Sequence, residues 1–172
     1  MKIYVIGSSG SGKTTYAKLL SKKYHLTHYN ADYLRYIQLE NVRGRMERDM
    51  DEYKKIIGDI SKSDDWIFEG AQSIPSLLKN SDWIVWLNPG LLVALFRQWK
   101  RFFTDPKQRL EHGFIKNLKL SKGIIFSQHL GKYDPSRFDD PDYNHVKKLE
   151  LLLSKYPEKL ITARNWKDIQ RL

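Results

Sequence analysis

Eight consecutive residues near the amino end, Gly7-Ser8-Ser9-Gly10-Ser11-Gly12-Lys13-Thr14, constrain this chain more than any other feature. They match the pattern Gly-x-x-x-x-Gly-Lys-Ser/Thr at every fixed position. The run before them, Lys2 to Ile6, is short and β-branched, as a buried strand is. Behind them Ala17, Leu20 and Tyr24 are spaced for one helix face. In a strand-loop-helix unit of this kind the glycines let successive backbone N–H groups turn inward around phosphate oxygens, and the helix N-terminus adds partial positive charge there. The alternative is a flexible Gly/Ser turn that caps a helix, and the flanking strand and helix argue against it. The expectation is that Gly7, Ser8, Ser9, Gly10, Ser11, Gly12, Lys13, Thr14 and Thr15 hold the phosphates of ATP. Lys13 then bridges the β- and γ-phosphates and the Thr14 hydroxyl ligates Mg²⁺.

Four later runs read as parallel strands separated by helical stretches, which implies an α/β sheet with right-handed crossovers. They are Thr27 to Asn30, Trp66 to Phe68, Trp83 to Leu87 and Lys159 to Thr162. Ligands of such sheets bind beyond the carboxyl ends of the strands, so Asp32, Glu69 and Asn88 are placed to meet the loop. Met46, Met50, Tyr53, Ile57 and Ile60 fall at helical spacing and read as core. Leu91 to Phe103 reads as a helix, and Val146, Leu149, Leu152, Leu153 and Tyr156 define another, closed by Pro157. Residues 131 to 142, with four aspartates, read as a solvated acidic loop. At 172 residues the chain fits one domain, with an insertion or lid over about 97–142.

The net charge of +10 is unevenly spread. Residues 1–27 carry five bases and no acid, and residues 97–123 carry eight bases against two acids. Both segments should attract polyanions such as phosphates. Within the second, Arg97, Lys100 and Arg101 share one helix side, and Arg97, Arg101 and Arg109 are the candidates for closing on a phosphate. With no cysteine there is neither a disulfide framework nor a thiolate metal site. No long apolar stretch suggests a signal peptide or a membrane span, so a cytoplasmic protein without membrane contact is expected, as monomer or homodimer.

Two carboxylates stand out. Asp32 is either a helix N-cap before Tyr33-Leu34 or an acceptor contact, and the two roles are compatible. Glu69, at the end of a buried strand, is costly unless paired or facing a site. The five histidines are scattered, without the spacing of a metal triad, and read as structural or exposed. Trp99, Phe102 and Phe103 suit amphipathic helix packing better than stacking on nucleic-acid bases.

The loop, the Asp32 turn, the Glu69-Gly70 step, the run Trp86-Leu87-Asn88-Pro89 and the basic segment behind it resemble the small-molecule and nucleoside-phosphate kinase branch of the P-loop proteins. The closest resemblance is to the DNA topology modulation protein (FlaR-like, adenylate kinase-related) group. It rests further on Leu26 to Tyr36, Phe96 to Arg101 and the ending Leu149 to Leu172. The resemblance implies a three-layer fold with a five-stranded parallel sheet in the order 2-3-1-4-5 and a helical basic lid around residues 97 to 123. It also implies roles. Asp32 faces the phosphate acceptor or the water shell of the metal, Glu69 is a metal or acceptor contact where many relatives carry Asp, and Arg97 and Arg101 neutralise the transferring group. Asn88 stands where relatives often carry Asp.

Two functions fit. One is an ATP- and Mg²⁺-dependent phosphotransferase acting on a small acceptor such as a nucleoside, a nucleotide or a hydroxylated metabolite. The other is a nucleic-acid-associated ATPase or regulator whose basic segment binds polynucleotide.

Overall fold

The alternation of apolar residues along the first strand sets the architecture. In the computed structural model β1 (Lys2–Gly7) lies at the centre of a parallel sheet, between β5 (Trp66–Gly70) and β6 (Trp83–Leu87). Side chains alternate across a strand, so Tyr4 and Ile6 enter one core while Ile3 and Val5 enter another. Both faces of the sheet are therefore covered, as parallel sheets require. The first core joins Trp66, Phe68, Ile84 and Trp86 to α3 (Met50–Lys62), α4 (Pro75–Asn80) and α7 (Val146–Leu153). The second joins Ile67, Val85 and Leu87 to Tyr16, Ala17 and Leu20 of α1 (Lys13–Tyr24). Each large apolar side chain so buried contributes roughly 1.5–3 kcal/mol.

The structure describes residues 1–38, 45–140, 143, 145–164 and 168, with only the backbone at 38, 45, 107, 108, 110–112 and 126–129. The outer strands are β2 (His28–Asn30), beside β5, and β7 (Leu160–Ala163), beside β6. The order β2-β5-β1-β6-β7 is the expected 2-3-1-4-5 once a separate hairpin is set aside. That hairpin, β3 (Tyr36–Gln38) paired antiparallel with β4 (Arg45–Glu47), was not expected from the sequence. It corrects the helical reading of Met46, which lies in β4 and is 52% exposed; α3 begins only at Met50, where Asp49 caps it by accepting from Asp51 and Glu52 N–H.

The short α2 (Ala31–Arg35) joins β2 to β3. The basic segment folds as α5 (Leu91–Thr104) and α6 (Pro106–Lys122), the latter broken at Gly113, where φ is +61°, followed by a wide π-helical turn over Gly123–Leu130. Buried Gln98 of α5 holds α6 by donating to Asn117 and to Ser121. Packing accounts for only part of the aromatic set on this segment. Phe102 is buried, whereas Phe96, Phe103 and Phe114 are more than half exposed.

The acidic loop is more ordered than its composition suggests. Asp134 caps a turn at Pro135–Arg137, Arg137 pairs with Asp140 at 2.7 Å, and Lys148 donates to the Asp140 carbonyl. Asp142 lies outside the described residues. Among the described residues no helix is long and apolar enough to cross a membrane.

Candidate functional site

The end of α1 facing the loop is built to be left open. No side chain caps Gly12, and the first turn of α1 carries no acid. By contrast α3 spends Asp49, Asp51 and Glu52 on its own N-terminus. Unspent N–H groups at the start of a twelve-residue helix are donors awaiting an anion. The loop before them is closed by Ser11 N–H donating to the Ser8 carbonyl at 3.2 Å. Gly10 and Gly12 both have positive φ, +75° and +96°.

Gly10 is doubly constrained. A Cβ there would meet the backbone oxygen of Ala94, in the first turn of α5, at 2.4 Å. Gly10→Ala is therefore expected to destabilise the fold by about 3 kcal/mol, from left-handed backbone strain plus overlap with main chain. Gly58→Ala, inside α3 with nothing within 4 Å of the added carbon, is expected to be neutral or stabilising. Urea unfolding of both variants checks this, and equal midpoints would refute it.

Lys13 points its ammonium back at the loop and donates to the Ser8 carbonyl at 3.1 Å. Loss of hydration pulls its pKa below the usual lysine value, the carboxylates of Glu69 and Asp32 oppose that pull, and Arg101 adds to it. A part-buried ammonium is a stronger partner for phosphate than a fully exposed one. The charges of Asp32 and Arg101 thus act on the lysine of the loop.

Glu69 is 1% exposed at the end of β5. Its Oε2 accepts from the Thr14 hydroxyl at 3.1 Å and its Oε1 from Asn30 Nδ2 at 2.5 Å, while His28 Nε2 stands 3.5 Å from the same Oε1. Burial alone would raise its pKa. The contacts with His28, Thr14, Lys13 and Asn30 outweigh that and hold the carboxyl below its ordinary value. The residue is therefore ionised at neutral pH, and its oxygens are engaged by side chains of the protein.

Asp32 occupies the second position of α2, not its cap, which corrects the N-cap reading. The cap is Asn30, whose Oδ1 accepts from Asp32 N–H at 2.9 Å and Tyr33 N–H at 3.2 Å. The Asp32 carboxylate is exposed and makes no hydrogen bond or ion pair among the described residues.

Of the basic candidates, Arg97 is brought to the loop directly, donating to the Ser11 carbonyl at 2.8 Å. The positive charge of Arg101 acts on Lys13. Arg109, exposed on α6, is not brought to the loop by any contact among the described residues. Thr15 is exposed in the first turn of α1, and the Asn88 N–H donates to the Ala163 carbonyl at 2.9 Å, tying β6 to β7.

Sequence reasoning missed His28 and Asn30 as site residues. The signal was present: two polar residues two apart on a strand share a face, and here that face borders Glu69. Behind the site, Tyr4 donates to the Gln72 carbonyl and Tyr53 OH lies 3.3 Å from Gln72 Oε1, which fixes the turn after β5.

The donor set fits Mg²⁺. Thr14 and Asp32 offer hard oxygens, Glu69 stands behind Thr14 with its own oxygens engaged, and no group of three or more His, Cys, Asp or Glu residues converges among the described residues. Magnesium is usually held by one or two protein oxygens together with phosphates and water, not by a full protein cage.

The AAA domain family matches the chain over residues 6–92. No curated protein matches it. Among solved structures it is similar to a shikimate kinase from Bacteroides thetaiotaomicron, at 14% identity and a TM-score of 0.49, covering 99% of this chain and 92% of that one. It is also similar to a gluconokinase from Sinorhizobium meliloti, at 16% identity and a TM-score of 0.47, covering 99% and 87%. A shikimate kinase from Acinetobacter baumannii in complex with shikimate gives 16% identity and a TM-score of 0.43, covering 91% and 94%.

Proposed function

From the premise that the chain belongs to the AAA domain family, whose match spans the whole phosphate loop together with Asp32 and Glu69, we propose that it is an ATP-dependent kinase that phosphorylates a small hydroxylated acceptor. The observation that carries the reading is the Asp32 carboxylate. It has no partner among the described residues, yet its charge acts on Lys13 at the phosphate end of the loop. A carboxylate free of partners among the described residues at that place is available to orient and deprotonate an acceptor hydroxyl.

In this reading the loop amides and Lys13 hold the β- and γ-phosphates. The Thr14 hydroxyl donates its proton to Glu69 and so turns its lone pairs outward, toward where Mg²⁺ would be held. Bound there with the phosphates, Mg²⁺ would draw charge off their oxygens. Asp32 orients the acceptor hydroxyl and takes its proton as the acceptor oxygen bonds to the γ-phosphorus and the bond to the β-phosphate oxygen breaks, leaving ADP. Arg97 and Arg101 neutralise the equatorial oxygens. Such chemistry asks for positioning and charge, and needs no covalent intermediate on the protein.

The test is a panel of nucleosides, nucleoside monophosphates and hydroxylated metabolites with ATP and Mg²⁺. ADP release is expected to match phosphorylated acceptor mole for mole for at least one member. If no member is phosphorylated, and instead single-stranded DNA or RNA stimulates ATP hydrolysis with a steep loss between low and physiological salt, the regulator reading holds.

A further inference from the structure

The loop and Asp32 lie on different elements, and one amide joins them. Asn30 ends β2, and its side chain works in two directions: Nδ2 donates to Glu69 Oε1 at 2.5 Å, while Oδ1 accepts from the N–H groups of Asp32 and Tyr33. On its other oxygen Glu69 accepts from Thr14, in the first turn of α1. An unbroken chain of bonds therefore runs from Thr14 through a carboxylate that is 1% exposed and through Asn30 to the start of α2.

The orientation of the Asn30 amide is fixed by its partners. Turned over, it would set an oxygen against the Glu69 carboxylate and an NH₂ against two N–H donors, losing every bond at once. Other cap residues lack this double use. Serine, threonine or aspartate would cap α2 about as well, but aspartate has no donor, and serine or threonine has a single oxygen at the cap where asparagine adds a separate NH₂ for the carboxylate on the neighbouring strand.

We propose that Asn30 is a positioning residue that couples the phosphate-binding end of the site to Asp32, so that the carboxylate on the acceptor side is held in register with Thr14 and Glu69. The coupling itself stands on the geometry; its catalytic meaning rests on the kinase reading above.

Backbone amide exchange of the unliganded protein tests the coupling without any activity. Glu69→Ala is expected to speed exchange at Asp32 and Tyr33 about tenfold in the wild-type background and to change little in an Asn30→Ser background, where the link is already cut but the cap remains. Equal effects in both backgrounds would overturn the proposal. If Glu69→Ala does not fold, Thr14→Val, which removes the hydroxyl at the far end of the chain, takes its place in the same cycle.

Turnover supplies the second readout. Asn30→Ser is expected to lower kcat about tenfold with the KM for ATP unchanged. A cap-only role predicts wild-type kcat for this variant, and that result would overturn the positioning role. Should the wild-type protein phosphorylate no acceptor, the kinase reading fails, while the exchange cycle still decides the coupling.

Discussion

Lys13→Ala is expected to reduce ATP turnover by about 10²–10³-fold or more, the range found when a single pre-placed stabiliser of developing charge is removed. The fold itself should change little. Among the described residues the Lys13 ammonium makes one hydrogen bond, to the Ser8 carbonyl, and it sits where loss of hydration already disfavours the charged form. Without phosphate the charge is a burden, and with phosphate it is the main cation at the loop. The variant should therefore melt within a few degrees of the wild type yet fail to bind or hydrolyse ATP. Lys13→Met, which keeps the apolar stem, separates lost packing from lost charge. Titration calorimetry with ATP and Mg²⁺ beside a thermal melt checks both halves, and wild-type nucleotide affinity in the variant would remove the site assignment.

The second large effect is expected at Asp32. Replacement by alanine should suppress phosphoryl transfer by about 10²–10⁴-fold, the usual worth of a positioned general base, while ATP binding stays near normal. The separation follows from where the residue sits. Its carboxylate makes no hydrogen bond or ion pair among the described residues, its helix is capped by Asn30, and its charge acts on Lys13. Removing a carboxylate from the neighbourhood of bound phosphate relieves repulsion, so nucleotide affinity should hold or rise slightly. Asp32→Asn, equal in size, is expected to be as inactive as alanine. Full acceptor phosphorylation by either variant would refute the proposed role.

Much of the site could be read from the sequence because its phosphate side is local. The loop runs over consecutive residues, and the strand before it and the helix after it carry their own periodicities. The strands of the sheet followed from apolar runs, and their order from the resemblance to the P-loop kinases. What could not be read was set by partners distant along the chain. Asn30 and Asp32 are equally good caps in isolation. The strand pairing that puts Asn30 opposite Glu69 leaves Asn30 to accept the α2 amides and Asp32 uncommitted. His28 faces Glu69, forty-one positions further along the chain, for the same reason, and the local spacing that puts it on the face of Asn30 does not reveal what that face meets. Met46 fits the helical spacing of α3, but the hairpin draws it out of register, aided by the ion pair of Arg35 with Glu47 at 2.7 Å. In the basic segment spacing alone could not tell Phe102, which packs inward, from Phe103, which does not.

The close seating of Gly10 on Ala94 makes the phosphate loop and the root of α5 one mechanical block. Bulk added on either side of this seam is therefore felt on both, so the root of the basic arm and the phosphate loop share a single packing tolerance.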